Sequence, residues 1–427
     1  MQGIVAVQRL IPGWSIAVQI VEAIADANVL DASGQETYSL RAGCRYILYD
    51  AEAGNGLRDG ALRLIGGLDR VLPFYNRQPL TRHRLILPFI GRQGDAVVAA
   101  SCLETLKERY TDVTIDVAAP DPAQAVLRLL PRLGELRPYP LEAERIDDYD
   151  YYLSFEEIEA VPQGSQRSCA DVFSTCLRTP KPNHPPSVTV PADAQARWAF
   201  PPTARLRVAV HVGRSDNLRS YPRDLLLELA RRLVDQGCEV YLIGAADPTS
   251  LLQPDPSNLG LEAPRGLKPA ARPVPVCSRG LKPAARPVPV CPRGLKPAAR
   301  GDSDECLLSS ATEHVKNLVG QTQSPGDLAA VLEQMQALVT GDSFPMHLAG
   351  AMGVATIALF TTTDAVIGSD YVSVEAVQSQ ASCSPCRIAE GVCPLGHRKC
   401  TAYHNPSVNP ESVVERVRSL VQVAGTV

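Results

Sequence analysis

Residues 337–360 read ALVTGDSFPMHLAGAMGVATIALF. Ala337–Thr340 is a short apolar run of strand type, Met346–Met352 has the composition of a helix turn or two, and Val354–Phe360 is a second apolar run. A strand, a helix and a strand in close succession make two parallel neighbours with a crossover between them. Gly341-Asp342-Ser343-Phe344-Pro345 fills the turn at the strand's carboxyl end. The unpaired N–H groups of the helix that follows, and its dipole, form an anion site there. Asp342 can accept hydrogen bonds from ribose or sugar hydroxyls. Ser343 lies beside it. His347, in the first helical turn, reads either as a ligand group or as a packed residue.

The same alternation continues outward. Leu206–Val212 reads as a strand, Asp224–Gln236 as a helix, Glu239–Gly244 as a strand and Asp327–Met335 as a helix. Asn409 and Pro410 are an N-cap and first-position pair for a last helix through Val423. Upstream, Leu85–Ile90, Val113–Ala118 and Tyr149–Phe155 read as strands, with helices over Ala96–Tyr110 and Pro122–Leu130. Pro185, Pro186, Pro191, Pro201 and Pro202 punctuate a linker between the two series. The pattern predicts an α/β chain of two Rossmann-like doubly wound domains, over 81–200 and 201–427. Residues 1–80 fit neither. Their short apolar runs and Gly-rich turns predict a small, β-rich extra domain.

The chain has 427 residues, 45% apolar and 21% charged, a globular composition with ample core. Its net charge of −4 excludes a generally basic nucleic-acid binder. The stretch Ile16–Leu30 is broken by Gln19, Glu22, Asp26 and Asn28, so neither a transmembrane helix nor a signal peptide is expected. Residues 264–300 repeat every 14 residues as PRGLKPAARPVPVC, SRGLKPAARPVPVC and PRGLKPAAR. Nine prolines keep this stretch extended, and its nine basic residues face no acidic one. It reads as a plain surface loop or as a tether to an anionic membrane.

Three further clusters could carry chemistry. Gly91-Arg92-Gln93-Gly94-Asp95 ends the first strand of the first unit, where ligands of such sheets bind. Gly94 would let a nucleotide sugar approach the backbone. Asp95 is either a helix N-cap or a general base. His211-Val-Gly213-Arg-Ser215-Asp-Asn-Leu-Arg219-Ser-Tyr221-Pro222 ends the second unit's first strand. Gly213, Ser215 and Arg219 there suit a diphosphate. Finally, Cys383, Cys386, Cys393 and Cys400 fall within 18 residues, with His397 nearby. They are free thiols or the ligands of a zinc or iron ion.

Three segments in this order, Arg84–Tyr110, Val208–Leu233 and Asn317–Asp364, resemble glycosyltransferase family 9, the ADP-heptose lipopolysaccharide heptosyltransferases. The resemblance covers roughly 83–260 and 301–424 and is most specific in the motif Asp342-Ser343-x-x-x-His347-Leu348-Ala349. It implies a GT-B arrangement with the donor nucleotide on the C-terminal domain. By the resemblance, Asp95 is the catalytic base and Arg219, in place of a usual lysine, meets the donor phosphates. Asp342, Ser343 and His347 belong to the nucleotide-sugar motif. Phe344 stands where the family has glycine, which would crowd the phosphates, and Asp247 loosely matches an acidic residue near the nucleoside. The resemblance implies no catalytic cofactor, so any zinc or iron on the cysteines would be structural. Heptosyltransferases that modify proteins carry a four-cysteine metal finger near this place.

The expected activity is inverting transfer of a sugar, heptose from ADP-heptose, to a hydroxyl of a lipopolysaccharide core or related glycan. The alternatives are a protein-modifying heptosyltransferase and a non-catalytic sugar-nucleotide-binding scaffold. The expected partners are a nucleoside-diphosphate sugar donor, a glycan or protein acceptor and an anionic membrane touched from the cytoplasm at the inner membrane. No nucleic acid is expected.

Overall fold

A computed structural model describes residues 17–30, 36–130, 133–155, 167–213, 218–245, 312–368, 370–386, 393, 395–397 and 400–424. The repeat at 264–300, Ser215 and Asp247 lie outside the described residues. Residues 1–252 and 314–427 belong to one compact unit.

The N-terminal part of this unit is antiparallel. Strands β1 (Val18–Ala23), β2 (Ala27–Leu30), β3 (Glu36–Leu40), β4 (Arg45–Tyr49) and β5 (Leu62–Gly67) come with one helix, α1 (Asp50–Arg58). Strands β2 and β3 form a separate ribbon. The first parallel series follows as β6 (Arg84–Pro88), α2 (Gln93–Arg109), β7 (Thr114–Ala119), α3 (Asp121–Leu127), β8 (Leu136–Pro138), β9 (Leu141–Glu142) and β10 (Tyr151–Tyr152). Four of these strands pair in the order β10-β6-β7-β8, all parallel. Strand β9 instead joins the N-terminal sheet, whose order is β5-β1-β4-β9.

One apolar cluster therefore runs from Val21 and Ile47 in the first sheet to Leu87 and Val117 in the second. A buried carboxylate adds a polar stitch. Glu52 of α1 accepts hydrogen bonds from Tyr38 of β3, at 2.8 Å, and from Tyr139 beyond β8. Burial pushes its carboxyl up to about 7 against the pull of both hydroxyls.

Helix α4 (Cys169–Cys176) precedes the proline-punctuated stretch, and α5 (Ala192–Arg197) lies within it. The second series is β11 (Arg207–His211), α6 (Arg223–Asp235), β12 (Glu239–Ile243), β13 (Val315–Asn317), α7 (Pro325–Leu332), β14 (Ala337–Gly341), α8 (Phe344–Ala351), β15 (Thr356–Phe360), α9 (Ala365–Gly368), β16 (Val374–Gln378) and α10 (Pro410–Ala424). Its sheet is six-stranded and parallel, in the order β13-β12-β11-β14-β15-β16. Strands β12 and β15 are buried along their whole length, as the middle of a two-sided parallel sheet requires. The strand order reverses between β11 and β14, so the crevice beyond their carboxyl ends is the ligand position of this architecture. The two parallel sheets with flanking helices make a GT-B arrangement.

Boundaries differ from the sequence reading where a cap or a tertiary contact intervenes. Helix α2 starts at Gln93, earlier than Ala96, because the Asp95 carboxylate closes a capping box on the Arg92 backbone N–H. Helix α7 starts at Pro325 because Ser324 and Asp327 cap it reciprocally. The expected strand at Tyr149–Phe155 shrinks to Tyr151–Tyr152, since Phe155 turns into an aromatic cluster with Phe89 and Phe173. Asn409 caps α10 as expected, accepting from the Ser412 N–H at 2.9 Å.

Candidate functional site

Asp95 sits in the first turn of α2, at the carboxyl end of β6. Its Oδ2 accepts from the Arg92 N–H at 2.8 Å. The capping role and a chemical role are compatible, because one oxygen is enough for the cap. Burial pushes the carboxyl up to about 6, opposed by the Arg92 hydrogen bond and charge. The Asp342 carboxylate adds to the rise and Arg219 opposes it, so Asp95 feels two charged groups of the other α/β domain.

Arg219 and Asp342 form an ion pair, Nη1 to Oδ2 at 3.2 Å, with both side chains largely buried. The Thr363 hydroxyl donates to the same Asp342 oxygen at 2.8 Å. The Arg219 backbone is pinned as well. Its carbonyl accepts from Tyr403 Oη at 2.6 Å and lies 2.7 Å from where a Cβ on Gly341 would stand. Tyr403 meets Tyr221 edge to face at 5.2 Å, and Tyr221 donates to the Val408 carbonyl. The strand ends, not the loop alone, thus fix the guanidinium.

Ser343 precedes α8 but makes no side-chain cap. Its hydroxyl instead lies 3.0 Å from Thr340 Oγ1 and 3.3 Å from His211 Nδ1. Burial lowers the His211 ring to about 4, so it stays neutral in this polar knot. Gly213 has φ +72°, and Ser220 Oγ lies 2.5 Å from its missing Cβ. Conformation and space both require glycine there.

His347 is buried, and its edge lies against Gly94: a Cβ on Gly94 would stand 2.8 Å from His347 Cδ2. On its other side Nδ1 is 3.4 Å from Tyr371 Oη. Burial holds the ring below the usual imidazole range. Gly94 was expected to admit a nucleotide sugar, but in this conformation the space beside its backbone holds the His347 ring. Phe344, expected to crowd phosphates, packs against apolar clusters of both α/β domains.

Residues 297–395 match the family model described as glycosyltransferase family 9 (heptosyltransferase). The chain's sequence is 30% identical over 118 residues to lipooligosaccharide heptosyltransferase 2 of Campylobacter jejuni, covering 27% of this chain and 35% of that protein. The chain thus spans about a third of the length of the curated relative it matches. Among solved structures, ADP-heptose lipopolysaccharide heptosyltransferase II of E. coli superposes with a TM-score of 0.53 at 16% identity, over 80% of this chain and 99% of that one. The dodecameric, iron-containing heptosyltransferase TibC of E. coli, solved with ADP-D-β-D-heptose, gives 0.53 at 10% identity over 96% and 93%. At these identities the likenesses establish the fold.

The structure brings Asp95, Arg219, Asp342, Ser343 and His347 to one crevice. Sequence reasoning missed Thr340, Thr363, Tyr371 and Tyr403 and gave His211 no role. The two threonines and His211 sit at or just past the carboxyl ends of strands, a position that flags them. The tyrosines arrive from distant loops and leave no local signal.

The four cysteines are unbridged. Burial chiefly raises the Cys400 thiol, and Cys386 and Cys383 add to the rise, so three of the four share a neighbourhood. Among the described residues, however, no group of three or more His, Cys, Asp or Glu is placed to hold a metal ion. In this conformation the expected ligand set is not assembled. No helix among the described residues is long and apolar enough to cross a membrane.

Proposed function

We propose that this protein transfers a sugar, heptose from ADP-heptose, to an acceptor hydroxyl by a single inverting displacement. The observation that carries this reading is electrostatic. Asp95 of one domain lies in the field of the Arg219–Asp342 pair of the other, at the crevice where a GT-B protein holds its donor.

The acceptor oxygen attacks the anomeric carbon while the bond from that carbon to the diphosphate oxygen breaks. The acceptor proton passes to Asp95, whose raised pKa of about 6 suits a general base near neutral pH. Negative charge grows on the leaving diphosphate. Arg219 and the N–H groups opening α8 are positioned to stabilise it without reorganising. Asp342 and Thr363 keep the guanidinium in place beforehand. No cofactor enters these steps.

A lipopolysaccharide or related glycan acceptor is supported by the match to the family 9 model and by the Campylobacter jejuni relative. The protein-modifying alternative rests on the N-terminal antiparallel sheet, an extra element that would recruit a polypeptide. The scaffold alternative would leave Asp95 without a purpose for its raised pKa. The cysteine spacing alone supports a structural zinc or iron, whose ligands this conformation does not assemble. The basic repeat supports a peripheral contact with an anionic inner membrane from the cytoplasm. A thermal-shift screen against ADP, UDP, GDP and CDP and their sugars tests the donor. A true ligand at 100 times its Kd adds about 2.7 kcal/mol, and a shift with none of them sinks the reading.

A further inference from the structure

Strand β6 ends at Pro88, shortly before Asp95, and its last carbonyl is held from outside its own sheet. On the β7 flank the ladder runs to the end of β6. Pro88 stands opposite Ala118, and the Phe89 N–H donates to the Ala118 carbonyl at 2.8 Å. On the β10 flank the described pairing reaches no further than Ile86, whose carbonyl accepts from the Leu153 N–H at 2.8 Å. Carbonyls two apart in a strand face the same flank, so that of Pro88 points where β10 no longer follows. Tyr49, the fully buried last residue of β4, donates its hydroxyl to this carbonyl at 2.8 Å. A buried carbonyl left without a donor would be costly there.

Tyr49 is itself fixed. It pairs with Val18 of β1, and its backbone N–H donates to Glu52 Oε2 at 3.4 Å. Glu52 is the carboxylate shared by Tyr38 and Tyr139, so the N-terminal sheet is braced where it holds β6. From Pro88 the path to the base is short. Phe89 is buried, its ring edge to face with Phe155 at 5.8 Å. Gly91 lies between that ring and Asp95: a Cβ on Gly91 would stand 2.5 Å from Phe89 Cζ and 2.9 Å from Asp95 Cβ. With no slack on either side, a shift of Phe89 is passed on to Asp95.

We propose that Tyr49 is a positioning residue for the base: its hydroxyl fixes the carboxyl end of β6, and through Phe89 and Gly91 it places Asp95 for the acceptor proton. The N-terminal sheet thereby takes part in the transfer step, whichever acceptor is used. This rests on the glycosyl-transfer reading and adds to it a residue outside the two α/β domains.

The test is Tyr49→Phe in the full chain. Tyr38→Phe is the comparison, since it removes a hydroxyl from Glu52 and leaves the Tyr49–Pro88 bond in place. Phenylalanine keeps the ring at both positions, so the variants fold, which melting curves check. One readout is the titration of Asp95, followed by NMR of protein labelled at the aspartate carboxyl carbon and assigned with Asp95→Asn. The other is ADP release from ADP-heptose. In Tyr49→Phe the Asp95 carboxyl, less firmly held in its buried place, should titrate about half a pH unit or more below wild type. ADP release should slow about ten- to a hundredfold at unchanged KM for ADP-heptose. Tyr38→Phe should keep both near wild type. A lower melting temperature in Tyr49→Phe with unmoved titration and release overturns the proposal, because the bond would then only stabilise the fold. Equal shifts in both variants overturn it too, since the effect would belong to the whole sheet. So does an unmoved Asp95 titration in Gly91→Ala, which presses on the ring and the base from between them. Wild type that releases no ADP would remove the transfer reading, and the NMR arm would still decide whether Tyr49 places Asp95.

Discussion

The imidazole of His347 stands where the side chain of residue 94 would be, and only glycine at that position lets helices α2 and α8 meet. A Cβ there would lie 2.8 Å from the ring's Cδ2, with Tyr371 behind the ring. The motif histidine and the glycine before the proposed base are thus two halves of one interdomain contact.

Gly94→Ala should accordingly cost about 1–3 kcal/mol, the usual penalty of overpacking a tight site. Chemical denaturation measures it. Adding His347→Ala should recover part of the loss, with a coupling of roughly 0.5–3 kcal/mol in the double-mutant cycle. Strict additivity would mean that the two residues do not meet in solution.

Asp95→Asn should lower turnover by about 10²–10⁴-fold, while ADP affinity holds. In wild type, kcat/KM should fall as pH drops through about 6, where the carboxyl takes its proton. The stability effect has the opposite sign. Because the native state raises this carboxyl from 3.8, the protein loses stability as pH rises through about 6, and the asparagine variant lacks that dependence. An unchanged acid limb in the variant would return Asp95 to a purely capping role.

Arg219→Ala and Asp342→Ala should each weaken binding of the nucleotide sugar. Loss of one charged hydrogen-bonding partner costs about 1.5–3 kcal/mol. For Asp342 the loss comes through a guanidinium released from its 3.2 Å partner. Calorimetry with ADP-heptose decides; full affinity in both variants would displace the donor site.

Elemental analysis of anaerobically purified protein addresses Cys383, Cys386, Cys393 and Cys400. A structural ion should appear at about one equivalent of zinc or iron, and Cys386→Ser should lower stability. Four freely titrating thiols with no bound metal would remove the ion.

Removing residues 264–300 should leave the melting temperature and ADP affinity near wild type. Binding to anionic vesicles should fall and should be salt-sensitive in the intact protein. Vesicle binding that survives the deletion would dismiss the tether.

The sequence by itself determined the α/β class, because apolar runs alternating with helical segments have one economical solution, a parallel sheet covered on both sides. It also marked Asp95, Arg219 and Asp342, since strand-terminal turns rich in Gly, Asp and Arg are where such sheets bind anions. It did not reveal that Gly94 serves His347, that Ser343 turns to His211 instead of capping its helix, or that Phe344 packs in the seam. Each depends on a partner more than 100 residues away or on how two domains pack, and local pattern holds no record of either. The N-terminal sheet shows the same limit. Its short apolar runs and Gly-rich turns suggested β structure, but its closing strand, Leu141–Glu142, comes from within the first parallel series. Only tertiary structure could place it there, because strand pairing depends on which edge remains open once the rest has folded.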